Sequence, residues 1–361
     1  EISYQDSTLP RYVEVKDYFD ASNFSTSREY YDGLDRVIQK KANTATTGQY
    51  TTVDTLYDSQ GRVVHQSLPY ITNSISYSSP NLTKPAKTYT YDALDRVLSE
   101  STPTGVTSYE YDGFKTTITD ANGIQKDLTK DAYGNLVEVK EYNGVSTYTT
   151  GYDYTLTNKL EKITDSQGNI RNFHYDVLDN LDWQDMVHKS SVATPEKINY
   201  THDKNGNVLT EASFKGDAIS YVYDDLNRVL YEKLSGANQI SYTYDQNDDV
   251  GQLSFADYGG GNSKAYDYDT LGRLRTATTT IENESFVMKY DYNLGGNLKE
   301  ITYPNGWVVT YAFNGVGQVD EVLLDKGTGG AILSDSIEYN QNGQMTHYER
   351  ANGVITDYTY D

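Results

Sequence analysis

The residues that come nearest to chemistry in this chain are its acids. Asp245-x-Asn247-x-Asp249 and Asp203-x-Asn205-x-Asn207 open like calcium loops, which draw oxygen ligands from positions one, three and five. Val250 and Val208 stand where such a loop needs glycine for its sharp turn, and no Glu occupies position twelve. Both triplets also fall in register with a turn repeat, which accounts for them without a metal. The five histidines, His65, His174, His188, His202 and His347, show no ligand spacing, and no cysteine supplements them. Carboxylate pairs of the kind a glycosidase uses are plentiful, but nearly every Asp in a pair sits in a turn position. No catalytic, metal or cofactor residue is therefore assigned, and the chain reads as non-enzymatic.

The repeat that absorbs these acids is Tyr-Asp-x-x-Gly-Arg-Val in its fullest form. It occurs thirteen times, starting at Tyr31, Tyr57, Tyr91, Lys130, Tyr154, Tyr175, His202, Tyr223, Tyr244, Tyr268, Tyr292, Phe313 and Tyr339. Position two is Asp, or Asn at Asn293, Asn314 and Asn340, with Thr155 once. Asp and Asn open type I turns because a side-chain oxygen accepts from the backbone N–H two residues on. Position five holds only Gly, Asp (Asp35, Asp95, Asp179, Asp248) or Asn (Asn158, Asn227). These residue types tolerate a left-handed backbone best, so position five is expected to end the turn as the αL residue of a G1 bulge. Position seven, Val, Leu or Met from Val37 to Met345, then starts a returning strand.

A second aromatic usually stands two residues before the repeat Tyr, as at Tyr89, Tyr221 and Tyr290, so each incoming strand carries two rings on one face. Between copies lie Asn122-Gly123, Asn143-Gly144, Asn305-Gly306 and Asn352-Gly353, read as hairpin dipeptides, with Gly168, Gly216 and Gly236 in equivalent places. Each unit thus holds two strands and two tight turns, and successive strands are antiparallel neighbours. Around Tyr111-Asp112-Gly113-Phe114-Lys115 the turn pattern fails although Tyr-Asp survives. The proline-bearing stretch from Ser67 to Lys87 reads as a long excursion from the sheet, and Lys189 to Lys197 and Asp325 to Gly330 as smaller insertions.

Composition agrees. The 36 Tyr against 8 Phe and 2 Trp favour an aromatic with an apolar body and a polar tip, suited to a half-wet sheet face. The net charge of −22 repels phosphate backbones and anionic lipid, which argues against nucleic acid as a partner. No run of 18 apolar residues offers a membrane span, and there is no cysteine for disulfides.

Residues 1–30 are expected to be a lead-in or edge segment, and 31–361 one hairpin array; the closing Tyr360-Asp361 looks like the start of a fourteenth copy in a longer array. At ~4.8 Å per strand, two strands per unit give a sheet on the order of 125 Å wide, far beyond the roughly ten strands an open twisted sheet carries before curling. The fold class is therefore all-β, with tandem hairpins forming a large rolled or spiralling antiparallel sheet, a hollow β-shell. The alternative is a β-propeller, since two units make about one blade of roughly 42 residues.

The phrases Tyr-Asp-Gly-Leu-Asp-Arg-Val-Ile-Gln (31 to 39), Tyr-Asp-Ala-Leu-Asp-Arg-Val-Leu (91 to 98), Tyr-Asp-Thr-Leu-Gly-Arg-Leu (268 to 274) and Asn-Gly-Val-Ile-Thr-Asp-Tyr-Thr-Tyr-Asp (352 to 361) resemble the YD repeats of the Rhs family. Relatives there include insecticidal toxin-complex B and C components, Rhs polymorphic toxins and teneurins. The resemblance implies a β-sheet shell around a cavity that in the toxins encloses an effector, in a large secreted or surface bacterial protein. It also implies a self-cleaving Asp-Pro site, and this sequence contains no Asp-Pro. The implied partner is an enclosed or adjacent polypeptide of the same or a partner chain; the alternative function is an extracellular module binding glycans or a cell surface through exposed Tyr.

Changing Asp95, Asn158 or Asn227 to Gly is expected to leave stability unchanged or slightly raised, and changing them to Val to cost on the order of 1 to 2 kcal/mol each. Chemical denaturation of the six single variants measures this; equal tolerance of Gly and Val contradicts the turn assignment.

Overall fold

The computed structural model describes residues 1–6, 10–19, 24–189, 194–235, 239–246 and 250–360. Gly236, Asn247, Asp248, Asp249 and Asp361, and part of the insertion between Lys189 and Lys197, lie outside the described residues. Every regular element among the described residues is a β-strand, 33 in all. The chain divides into two compact units, one of residues 1–103, 267–278 and 286–361, the other of residues 104–266 and 279–285.

The first unit opens with β1 (Ile2–Gln5), β2 (Arg11–Tyr18), β3 (Phe24–Tyr31), β4 (Val37–Asn43) and β5 (Tyr50–Tyr57), each antiparallel to the next. The lead-in thus continues directly into the array. Strand β5 then splits. Its last residues pair with β6 (Val63–Ser67), its first with β7 (Tyr70–Thr72), and β6 passes on to β8 (Ala86–Tyr91).

Within the stretch from Ser67 to Lys87, expected as an excursion, Tyr70–Thr72 return to pair with β5, while residues 73–85 form no strand and are bonded back onto the sheet by side chains. A buried polar cluster draws it back. Lys41 Nζ donates to the carbonyls of Ser74 and Ser76 at 3.0 and 2.8 Å, and Asp54 accepts from Gln39 Nε2, the Tyr70 hydroxyl and the Asn81 N–H at 2.6, 2.7 and 2.9 Å. Removing these charges from water is tolerable only because each is bonded on arrival.

In the second unit the ladder runs from the strand Gly105–Asp112 to the strand Leu253–Gly259 through consecutive antiparallel pairs. Its one branch is at Asn169–Tyr175, which pairs with both Leu181–Asp185 and His188–Lys189. A propeller blade ends its ladder after four strands. This ladder does not stop, so the propeller alternative fails.

The turn chemistry follows the expected plan. In the copy at Tyr223, the Asn227 N–H donates to the Asp224 carbonyl at 3.0 Å and the Asp224 N–H to the Arg228 carbonyl at 2.9 Å. The register shifts between Val222 and Tyr223, and Asn227 has φ 62°. That is a type I turn closed by a G1 bulge. Asp35, Asp95, Asn158 and Asp179 share its positive φ, as do the glycines of the other described copies.

Three local readings need correction. The copy at Tyr244 has a longer turn: Tyr244 pairs with Leu253, so Leu253 and not Val250 starts the returning strand, and Gly251 (φ 85°) takes the left-handed place assigned to Asp248. At Tyr111, Asp112 pairs with Lys115 around a two-residue loop that begins at Gly113 (φ 59°), which is why the bulged-turn pattern is absent. Between copies, Asn122-Gly123, Asn305-Gly306 and Asn352-Gly353 do not form two-residue loops. Their Gly N–H groups donate to Asp120, Tyr303 and Arg350, which is the same bulged turn used a second time.

Few apolar side chains are buried: Tyr30, Tyr70, Ala256, Val309 and Ile337 among the described residues. The strands alternate between half-buried and exposed positions, as in Ala218–Tyr223. A sheet with this burial lacks a packed second layer over most of its faces, so its cohesion must come largely from within the sheet.

Candidate functional site

The structure concentrates its specific bonds along the edge formed by the bulged turns, and they form in two directions. Within a turn, Oδ1 of the position-two acid accepts two backbone N–H groups; Asp224 takes those of Leu226 and Arg228, both at 2.9 Å. Its Oδ2 is left facing the side chain at position six. Arg36, Arg62, Arg96, Arg228 and Arg273 bond it through Nε at 2.6–2.8 Å, and Asn135, Asn180 and Asn207 through the amide nitrogen at 2.9–3.1 Å. At Asn314 and Asn340 the polarity reverses: their amides donate to Gln318 and Gln344 Oε1.

Between turns, the repeat Tyr reaches back one copy. The hydroxyls of Tyr57, Tyr91, Tyr154, Tyr175, Tyr223, Tyr244, Tyr292, Tyr339 and Tyr360 donate to the carbonyls of Val37, Val63, Leu136, Leu160, Val208, Val229, Leu274, Val319 and Met345 at 2.6–3.0 Å. Each acceptor is the position-seven residue of the preceding copy, where the returning strand begins. Burial raises the pKa of Tyr154, Tyr175, Tyr223, Tyr244, Tyr292 and Tyr339, so these hydroxyls stay protonated donors well above neutral pH.

The position-six arginine covers the ring of the same Tyr. Arg36, Arg62, Arg228 and Arg273 lie 4.6, 4.7, 4.4 and 4.6 Å from the ring centroids of Tyr57, Tyr91, Tyr244 and Tyr292. They also reach the next turn: Arg62 to Asp95 Oδ1 at 2.7 Å, Arg228 to both carboxylate oxygens of Asp245, and Arg273 to the Asn293 carbonyl.

The non-glycine residues at position five join this lateral network. Asp35 accepts from Arg11, Asn158 from Asn135, Asp179 from Thr157, and Asn227 from Asn205 and Asn207. They are therefore links as well as turn residues. Losing such a bond costs roughly 0.5–1.5 kcal/mol, which offsets the strain a glycine relieves and adds to the cost of valine.

The acids and histidines singled out in the sequence are dispersed along the sheet. Oxygens of Asp203 are occupied by the N–H groups of Asn205 and Asn207 and the Asn207 amide, and those of Asp245 by Arg228 and the Gly251 N–H. Turn bonds thus occupy the triplet at Asp203 and the first residue of the triplet at Asp245, whose Asn247 and Asp249 lie outside the described residues. His174 meets Asp182 at 3.0 Å and stacks on Trp183, His188 meets the Met186 carbonyl, and His347 pairs with Asp357 at 2.6 Å, which raises its pKa. His202 takes a repeat-Tyr place and pairs with Val208, while His65 lies in β6. Among the described residues no three of His, Asp or Glu converge to hold a metal ion.

Reading from sequence missed position six. Its signal is internal to the chain: donors Arg and Asn face Asp at position two, and Gln acceptors face Asn314 and Asn340.

Comparison with known proteins follows this geometry. The sequence model of the Teneurin YD-shell matches residues 196–333, and that of the RHS repeat matches residues 91–125. A search of curated proteins by sequence finds no match. The TcdB2-TccC3 crystal structure superposes with a TM-score of 0.85 at 16% identity, covering 100% of this chain and 22% of the other. The same complex without its hypervariable C-terminal region gives 0.84 at 16% identity over 98% of this chain and 21% of that one, and the Photorhabdus luminescens Tc holotoxin pore gives 0.83 at 16% identity with the same coverage. The likeness shows the fold. This chain spans about a fifth of the length of those it matches.

Removing a single hydroxyl, Tyr223→Phe, leaves the Val208 carbonyl short of its donor and is expected to cost about 1 kcal/mol. Guanidinium denaturation measures the loss; an unchanged midpoint contradicts the assigned bond.

Acid should loosen the same edge. The carboxyls of Asp131, Asp203 and Asp269 are held below their ordinary pKa first by side-chain bonds from position-six partners, that of Asp165, in a turn between copies, first by the Asn169 side chain, and those of Asp176 and Asp224 first by the backbone N–H at position six. Groups with depressed folded pKa values stabilise above the unfolded value and lose that contribution as pH falls through the folded one. Stability is expected to decline once pH drops below about 4, the ordinary carboxyl range. Asp203→Asn with Asp224→Asn should flatten that decline, as read by denaturation midpoints across the acid range; an unchanged slope contradicts it.

Proposed function

The chain belongs to the Rhs/YD-repeat family, and on that premise we propose that it is a non-enzymatic wall segment that encloses or scaffolds a polypeptide in a large secreted or surface protein. The observation that carries the proposal is the copy-to-copy tyrosine bond, repeated from Tyr57 to Tyr360. It spends the most distinctive side chain of the repeat on holding neighbouring hairpins together, and the position-six arginine covers that ring. Rings committed in this way favour a packing role over the glycan-binding alternative.

The fold likeness to TcdB2-TccC3 and to the Tc holotoxin pore supports the shell role, and the Rhs resemblance supplies the enclosed effector as its natural cargo. No helix among the described residues is long and apolar enough to cross a membrane. A half-wet sheet face suits contact with an unfolded or partly folded polypeptide, because it offers hydrogen bonds without a large apolar surface to trap the cargo.

The test is protease accessibility in the intact protein that carries this array. A polypeptide behind the wall should resist cleavage while the array is folded, and become cleavable when several repeat Tyr are changed to Phe. Equal cleavage in both proteins contradicts the enclosing role.

A further inference from the structure

In the first unit, one patch of sheet face is buried beneath a piece of chain that is not a strand. Tyr30, Gln39 and Asp54 stand opposite one another on β3, β4 and β5, and Lys41, two residues on from Gln39, shares their face. All four are at most 2% exposed. Residues 73–85 lie over them as a strap.

The patch holds the strap mainly by its backbone. Lys41 Nζ donates to the carbonyls of Ser74 and Ser76, the Tyr30 hydroxyl donates to that of Ile75 at 2.6 Å, and Asp54 accepts from the Asn81 N–H. Gln39 meets both backbone groups of Ser78: its Nε2 donates to the carbonyl at 3.0 Å and its Oε1 accepts from the N–H at 3.1 Å, as a neighbouring strand would. From the strap's side chains come the Ser78 hydroxyl, which accepts from Lys41 and Gln39 at 3.2 and 3.5 Å, and the Tyr77 ring, 5.7 Å from that of Tyr30. Otherwise the strap turns outward, with Asn73, Ser74, Ser76 and Ser79 exposed.

A patch that bonds carbonyls and N–H groups can hold a segment without reading its sequence, since every residue but proline carries both. The patch also tolerates being open. Bared apolar surface is costly, but an ammonium, an amide and a carboxylate that lose these partners are rehydrated. We propose that the face formed by Tyr30, Gln39, Lys41 and Asp54 is a binding site for extended polypeptide recognised through its backbone, and that residues 73–82 occupy it as a built-in ligand. The inference deepens the enclosing role and rests on it only for the source of the incoming segment. Tethering gives the strap an effective concentration on the order of 1 mM, so a competitor displaces it only when abundant or itself held close by, as an enclosed polypeptide is.

Peptide binding to the intact chain tests the site apart from enclosure, because no enclosed polypeptide is needed. The probe is a fluorescent synthetic peptide of residues 73–82, followed by anisotropy. Ser78→Pro removes the N–H that Gln39 accepts and loosens the strap without altering the patch. That variant should bind the peptide at least about tenfold more tightly than the unaltered chain, because its site is no longer filled. Alanine at every peptide position except Tyr77, Ser78 and Pro80 should change the affinity by less than about threefold, whereas N-methylation at Ser78 and Asn81 should weaken it at least about tenfold. On the unaltered chain, the unlabelled peptide at about 5 mM should speed hydrogen exchange of the chain's own Ser78 and Asn81 amides, and the N-methylated peptide should not. A Ser78→Pro chain that keeps its circular dichroism spectrum but binds no peptide overturns the site, and so does equal binding of the N-methylated peptide. Should that variant unfold, exchange on the unaltered chain that ignores the peptide overturns it instead. Peptide binding without protease protection in the intact protein would count against enclosure and leave the site standing.

Discussion

The structure depends on one bond above the others, the tyrosine hydroxyl that donates to the position-seven carbonyl of the preceding copy. A sheet with so few buried apolar residues gains little from a core. Its backbone ladders hold strand to strand, but ladders alone leave each bulged turn free to splay. The tyrosine ties the incoming strand of one copy to the outgoing strand of the copy before it, at the end where the bulge has shifted the register. Phenylalanine would fill the same space without that bond, and its rarity beside tyrosine, 8 against 36, is understandable on this ground.

The acids serve the same end. An aspartate at position two accepts two N–H groups from its own turn and still has an oxygen for position six, whose arginine then spans to the next copy. A residue usually described as a local turn former is here one half of a lateral connection. The strongly negative charge follows in part from this use. Many of the carboxylates that make it up are matched one by one with donors inside the turn edge, as Asp224 is with Arg228, which itself also holds Asp245.

Much of this was legible in the sequence because the constraint at each repeat position is local. The left-handed slot admits only Gly, Asp and Asn, and so announced both the turn and its bulge. The strand alternation before each Tyr likewise announced the ladder. What stayed hidden depends on residues distant in the chain or on loop length. The copy at Tyr244 looks regular until Gly251 takes the left-handed place, because Val250 satisfies the apolar requirement of position seven by accident of spacing. The stretch after Ser67 looks like an excursion because its prolines and serines carry no strand pattern. Its return rests on buried Lys41 and Asp54, whose partners lie roughly 15 to 40 residues away. The asparagine-glycine pairs differ from expectation for a simpler reason: the same dipeptide serves a two-residue loop or a bulged turn, and in the bulged turns the glycine N–H bonds the carbonyl three residues back, which Asp120, Tyr303 and Arg350 supply alike.

A sheet built in this way should communicate between neighbours, since each hairpin is completed by the next. Native-state hydrogen exchange of Tyr244→Phe measures that most directly. The account predicts faster exchange in the strand Val229–Leu234, which belongs to the preceding copy and contributes the acceptor carbonyl, as well as in the strand Gln239–Tyr244 that carries the substitution. Loss of protection confined to the substituted strand, with Val229–Leu234 exchanging as before, would contradict the claim that the tyrosine hydroxyl binds one copy to another.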